Sequence, residues 1–364
     1  MQTYGIIGLG LIGGSIAASL KKAQPDCRIL AANRTASVLE DALSKDLIDE
    51  AVSGPEDPAL AACDMLFLCA PVSANALALK ALKDILPDSC LITDVGSVKG
   101  EIHDTVRLLG LSHHFIGGHP MAGSEKTGLE NATDHMFENA YYILTPEQEA
   151  PREMLEAYLD LVRSFSALPL VISPEEHDHI TAAISHLPHV IASALVNTVH
   201  DLDGEEQHMK RIAAGGFKDI TRIASSSPEM WEHICLQNNH NITEVMDSFI
   251  DHLIHARTHM NEGDGEYINR MFQKSRDYRN SFSDTSYGVL KKVHRIYCDI
   301  IDESGAIATI ATILAVGRIN IKNIGILHNR EFEEGVLRIE FYDAESAVKA
   351  ARILDHHRYQ VWKV

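Results

Sequence analysis

Residues 3–14 read TYGIIGLGLIGG, and this stretch decides how the first part of the chain must be read. An apolar run is followed by glycines at Gly8, Gly10 and Gly13, and then by a segment through Ser15 and Leu20 with helical character. Strand, tight turn and helix in that order form the fingerprint in which the first glycine permits the turn, the second lets the backbone approach a pyrophosphate, and the third lets helix and strand pack closely. The helix start, at Leu11 and Ile12, then presents backbone N–H groups to an anion. A glycine-rich turn without a ligand is the bland alternative, but this one heads a longer pattern.

Up to residue 172, short apolar runs alternate with helix-period segments. The strand candidates are TYGIIG, CRILAA, MLFLCA, CLITDV, HFIGG, AYYILT and LPLVIS, with helical spacing between them, as over residues 73–85 and 152–164. Repeated βα units predict an α/β fold with a doubly wound parallel sheet of the Rossmann type over residues 1–172. The texture then changes. SPEE at residues 173–176 places Ser173 at an N-cap, Pro174 at the first helical position and Glu176 where a capping box needs it. A helix is expected to about residue 199, kinked at Pro188 because proline removes one backbone hydrogen bond. Residues 173–290 read as an all-helical domain, whose polar segment 263–288 looks like a helix end running into a linker. Residues 293–364 follow the order strand, helix, strand, strand, helix, strand, a βαββαβ domain of the ferredoxin-like kind.

The chain has 364 residues, enough for two or three cores, and 32 basic against 51 acidic side chains give a net charge of −19. That charge argues against nucleic acid or an anionic membrane surface as a partner, so a site for an anion must be locally basic. Six cysteines lie scattered without CxxC spacing, several in apolar runs, which points to a reducing, cytoplasmic compartment. The sequence shows no apolar run of membrane-span length and no signal-peptide pattern at MQTYGIIGLG.

Several residues carry the chemistry. At the end of the second strand an acidic side chain would favour NAD; here Asn33, Arg34 and Thr35 stand instead, which leans to NADP or to use of both, with Arg34 facing water as the alternative. His119, in HFIGGHPMAGSEKTG, follows two glycines and precedes a proline, where a strand gives way to a loop. DVGSVKG puts Ser97 and Lys99 just after a strand, at the edge where doubly wound sheets bind ligands, although Ser97 could simply cap the next helix. Ser185 and His189 are four apart and share a helix face. A zinc site from His177, His179, His186 and His189 has no usual spacing and no cysteines to complete it, so no metal is expected. Asp219 and Arg222 are three apart. Arg222 can grip a carboxylate with two hydrogen bonds, or the two can form an ordinary surface ion pair.

Taken together, GLGLIGGS, DVGSVKG, GGHPMAGSEKTG, HLPH and GGFKDITRIASSSPEMW resemble the TyrA family of prephenate and arogenate dehydrogenases over about residues 1–290. The last domain is similar to an ACT domain, through DESGAIATIATILAVGRINIKNI. The resemblance implies oxidative decarboxylation of prephenate to 4-hydroxyphenylpyruvate with NAD or NADP. It casts His119 as the base for the ring hydroxyl, Ser97 as a hydrogen-bond partner of His119 or of that hydroxyl, and Arg222 as the carboxylate anchor steadied by Asp219. Ser185, His189, Ser124 and Glu125 match other pocket positions, and Trp231 would wall the site. It also implies a homodimer built by the helical domain, and tyrosine as an effector at the ACT-like domain, where the alternative is a dimerisation module without a ligand. Arogenate as substrate, a β-hydroxyacid dehydrogenase and a nonenzymatic redox and amino-acid sensor are the competing readings.

Overall fold

The computed structural model describes residues 2–123, 126–281, 294–300, 303–327 and 335–363. The chain divides into two units, residues 1–281 and 282–364. In the first, β1 (Thr3–Ile7), β2 (Arg28–Ala32), β3 (Glu50–Ala51), β4 (Met65–Leu68) and β5 (Leu91–Asp94) form a parallel sheet in the order β3-β2-β1-β4-β5. The helices α1 (Leu11–Ala23), α2 (Ala36–Ser44), α3 (Val72–Leu82) and α4 (Gly100–Leu109) connect and follow these strands. Adjacent strand residues are buried on opposite faces. Tyr4, Ile6, Ile29 and Phe67 pack with α1, whereas Ile7, Leu30, Leu66 and Leu68 join Leu79, Leu82 and Val106. Both faces are covered, which is why these strands are almost uniformly apolar.

A second sheet of β6 (Ile116–Pro120), β7 (Tyr141–Pro146) and β8 (Leu168–Val171) continues the layer through a parallel bridge between Ile92 and Phe115, with α5 (Arg152–Ser164) before β8. All seven expected strands are present, together with the two-residue β3 that no pattern announced. One expectation is corrected: β6 and β7 pair antiparallel, with His119 opposite Ile143. Strand direction is set by where the connecting chain returns, and the described residues between these strands include no crossover helix.

The helical part comprises α6 (Pro174–Thr181), α7 (Leu187–Leu202), α8 (His208–Ile212), α9 (Gly215–Thr221), α10 (Pro228–Gln237), α11 (Asn239–Glu262) and α12 (Gly265–Ser281). The Ser173 hydroxyl accepts the Glu176 N–H at 3.1 Å, so the predicted cap forms. The break expected at Pro188 takes the form of a π-helical turn at Ala182–His186, one turn before the proline, where i→i+5 bonding bypasses the missing donor. Pro174–Leu202 is therefore one continuous helical stretch, long and apolar enough to cross a membrane, contrary to expectation. Pro188 and five histidines had interrupted the run. Its apolar surface is not all internal: Ile184, like Ile212 and Leu236 elsewhere in the helical part, is more than three-fifths exposed. The linker reading is also corrected over α12, a polar helix braced by Glu266–Arg270 four residues apart; residues 282–288 lie outside the described residues.

In the second unit, β9 (His294–Ile300), α13 (Ala306–Val316), β10 (Asn323–Leu327), β11 (Gly335–Phe341), α14 (Ala344–His356) and β12 (Val361–Lys363) realise the expected βαββαβ order. The antiparallel sheet runs β10-β11-β9-β12. Ile296, Cys298, Leu337 and Ile339 on the sheet pack against Ile310, Leu314, Ala350 and Leu354 of the helices.

Candidate active site

The glycine fingerprint has the shape its spacing requires. Gly8 lies at φ +102°, a conformation that disfavours any side chain, and a Cβ on Gly13 would stand 2.0 Å from the Gly8 carbonyl oxygen. A Cβ on Gly10, by contrast, would meet nothing within 4 Å. Gly10 is also the N-cap of α1, with no side-chain cap and no acidic residue in the first turn. The N–H groups opening α1 at Leu11, Ile12 and Gly13 are thus left for an anion approaching through the space that Gly10 keeps clear, and the residues fit a dinucleotide. Asn33 does more than replace an acid. Its oxygen accepts the Leu9 N–H at 3.1 Å and its amide donates to the Thr35 carbonyl at 3.2 Å, so it ties the glycine turn to the end of β2. Arg34 and Thr35 beside it are exposed.

His119 occupies the end of β6, partly buried. Its Nδ1 lies 2.8 Å from Nε2 of His177, and Nδ1 of His177 lies 2.7 Å from Asp178 Oδ1. The two Asp178 oxygens also accept the backbone N–H groups of Lys99 and Gly100, each at 2.8 Å, so this carboxylate caps α4. Burial raises the carboxyl, but the bonds from His177, Lys99 and Gly100 outweigh it and hold Asp178 below the usual carboxylate range. An ionised carboxylate only accepts, so His177 must donate from Nδ1 and accept at Nε2. His119 therefore donates from Nδ1, and its Nε2 carries the free lone pair. Burial first, then His177, Lys99 and His186, hold the His119 imidazole well below its ordinary value.

Beneath this ring, the fully buried Lys99 Nζ donates to Asp94 Oδ2 at 2.5 Å and to the Gly118 carbonyl at 2.7 Å. Ser97 is partly buried in the turn after β5, but the nitrogen it was expected to orient is held by His177. Sequence reasoning missed the His177–Asp178 pair. The only local signal was an adjacent His-Asp in the first turn of a capped helix.

The helical residues assemble into two groups. His186 is buried, with Nδ1 3.1 Å from the Asn238 amide nitrogen, which also donates to the Asp178 carbonyl. His189 stacks on Trp231 with ring centroids 3.8 Å apart and 24° between planes, and its Nδ1 lies 2.9 Å from the Ser185 carbonyl. The Ser185–His189 adjacency expected from spacing is thus present, although its polar contact runs through backbone. Asp219 and Arg222 are both exposed, near the end of α9 and at the start of the 3-10 turn that follows it. Ser124 and Glu125 lie outside the described residues. Asp88, His113 and His114 bring possible metal ligands together, but at the opposite ends of β5 and β6 from His119.

Residues 16–169 match the family described as prephenate dehydrogenase, nucleotide-binding domain, and residues 173–274 match prephenate dehydrogenase, dimerization domain. The latter places the apolar stretch Pro174–Leu202 in a segment built for subunit association. Prephenate dehydrogenase of Bacillus subtilis is 38% identical over 97% of this chain and 96% of its own length. The Lactococcus lactis prephenate dehydrogenase is 36% identical over 98% of each. Among solved structures, prephenate dehydrogenase from A. aeolicus in complex with hydroxyphenyl propionate and NAD+ superposes with a TM-score of 0.73 at 31% identity, covering 78% of this chain and 99% of that one. The chain belongs to the prephenate dehydrogenase family.

Proposed function

We propose that the chain oxidises and decarboxylates prephenate with His119 as the base, reading residues 1–172 as the dinucleotide domain, 173–290 as the substrate and dimerisation domain and 293–364 as an ACT-like regulatory domain. The observation that supports this most directly is the relay from Asp178 through His177, which fixes His119 as the tautomer with a free Nε2. A neutral imidazole is what the step needs. The substrate hydroxyl loses its proton to His119 Nε2 as its carbon loses hydride, and departure of the ring carboxylate as carbon dioxide restores aromaticity. Bound with its pyrophosphate at the glycine turn, NAD or NADP would supply the hydride acceptor. Arg222 holds a substrate carboxylate, Ser97 contacts the reacting hydroxyl, and Ser185, His189, Trp231, Ser124 and Glu125 complete the pocket.

Arg34, exposed at the end of β2, supports binding of a 2′-phosphate and hence NADP or use of both dinucleotides. Two copies associate through the helical domain, tyrosine binds the ACT-like domain as a feedback effector, and the reduced, unpaired cysteines suit the cytoplasm.

The test offers prephenate and arogenate, each with NAD and with NADP, to the purified protein and follows NAD(P)H. Turnover on prephenate is expected, and Arg34→Ala should lower kcat/KM for NADP about tenfold while leaving NAD within about twofold. Turnover on arogenate alone would move the substrate; no turnover in any combination would overturn the assignment. Adding tyrosine to the same assay tests the effector, an unchanged rate leaving the last domain a structural module.

A further inference from the structure

Three strands of contact converge on one buried residue that the reaction does not touch. The Lys99 ammonium donates to the Gly118 carbonyl at 2.7 Å and to Asp94 Oδ2 at 2.5 Å, and the other Asp94 oxygen accepts the Gly118 N–H at 3.3 Å. Gly118 immediately precedes His119, so the Lys99–Asp94 pair holds both polar groups of the residue on which the base is mounted. The Lys99 backbone N–H meanwhile donates to Asp178 Oδ1, the oxygen that also receives His177. One residue therefore fixes the strand end under His119 and the far end of the relay that selects its tautomer.

We infer that Lys99 and Asp94 form a buried positioning pair that sets the placement and the neutral state of His119. This rests on the reading of His119 as the base. A lysine and an aspartate with side chains no more than 1% exposed are costly to bury, and a pair of apolar residues would often serve stability as well. What an apolar pair cannot do is bond the Gly118 peptide or place a positive charge beside the imidazole. The charged and titratable groups around His119 are Lys99 and Asp94 from β5 and the turn after it, His177 and Asp178 from α6, and His186 from the π turn. Burial lowers the Lys99 ammonium while the adjacent Asp94 carboxylate raises it, and in its charged form Lys99 opposes protonation of the ring.

The test compares Lys99→Met, Asp94→Asn and His119→Asn in the full-length protein, by steady-state kinetics with prephenate from pH 5 to 9 and by thermal unfolding. Lys99→Met should lower kcat about tenfold or more through misplacement, with the Michaelis constant for the dinucleotide within about twofold. It should also move the acidic limb of kcat/KM upward by about one pH unit, because the ring then protonates more readily. Asp94→Asn, isosteric and neutral, should lower kcat comparably without altering dinucleotide affinity. A purely structural pair would lower the melting temperature and leave kcat and the acidic limb of the folded protein where they were; that result overturns the inference. So does failure of both variants to fold, which would make the pair a requirement of the fold alone. If only Lys99→Met fails to fold, kcat of Asp94→Asn decides. His119→Asn separates the levels, since full turnover in that variant would remove the base itself, whatever the pair variants do.

Discussion

The N–H of Leu9 donates to the side-chain oxygen of Asn33, 24 residues away, and this one bond couples the glycine turn to the end of β2, the place where folds of this type hold the adenosine half of a dinucleotide. The turn is rigid on the protein side and open on the other, and the two kinds of glycine within it should respond differently to a methyl group.

Gly10→Ala adds a Cβ where the protein has nothing within 4 Å, at a φ of −88° that alanine accepts. Its unfolding free energy should stay within about 0.5 kcal/mol of the parent, or rise slightly, while dinucleotide affinity falls about tenfold or more. Gly13→Ala drives a Cβ to 2.0 Å from the Gly8 carbonyl and should cost about 1–3 kcal/mol of stability. Chemical denaturation and fluorescence titration with NAD read both. Equal affinity for NAD in Gly10→Ala and the parent would remove the dinucleotide from this turn.

His119→Asn should cut turnover on the order of 10²-fold or more with cofactor affinity nearly unchanged. His177→Leu should produce a similar loss for a different reason, since it frees the imidazole to adopt the other tautomer while leaving the base in place. A kcat in His177→Leu within about twofold of the parent would show that the relay orients nothing.

Strands, caps and the fingerprint were legible because each is decided within a few residues. Ser173 caps its helix with an N–H three residues on, and Ile6, Ile29 and Phe67 lie in runs whose period is local. The relay was not legible. His119 and His177 are 58 residues apart, and nothing near either says that they meet. The helix α12 escaped for the opposite reason: its few apolar residues, Tyr267, Ile268, Met271 and Phe272, stand among so many Asn, Arg, Asp and Ser that its composition reads as loop, and none of its residues is fully buried.

Arg222→Ala should raise the Michaelis constant for prephenate about 10- to 100-fold, as expected for charge-assisted bonds worth about 1.5–3 kcal/mol, and change kcat little. Lysine at this position should restore only part of the affinity, because an ammonium lacks the planar fork. An unchanged Michaelis constant in Arg222→Ala would remove it as the anchor.

Acid should weaken the fold in two steps. Burial is the main force lowering His103, His119, His177 and His186, the last to about 4. Below the unfolded value of about 6.5 the unfolded chain binds more protons at these sites than the native one, so their contribution is intact above 6.5 and is lost as pH falls toward the folded values. For His186 alone the loss by pH 4 is on the order of 3 kcal/mol. Asp178, lowered in the fold, gives up its contribution only further down, as pH passes through its depressed value. Urea midpoints measured from pH 5 to 8 should rise to about 6.5 and then level; a flat profile from 5 upward would contradict the buried neutral histidines.

The two glycines before His119 have almost no room around them. A Cβ on Gly117 would stand 2.3 Å from the Thr145 hydroxyl and 2.8 Å from His103, and one on Gly118 would stand 2.6 Å from the Tyr158 hydroxyl and 2.7 Å from the Asp94 carbonyl. These two positions are therefore closed to single-step variation, since a side chain at either demands a matching change in β5, β7, α4 or α5. On the proposed role of His119, laboratory evolution toward other substrates would leave Gly117 and Gly118 untouched and draw its diversity from half-buried positions of the helical part near the proposed pocket, such as Ser185.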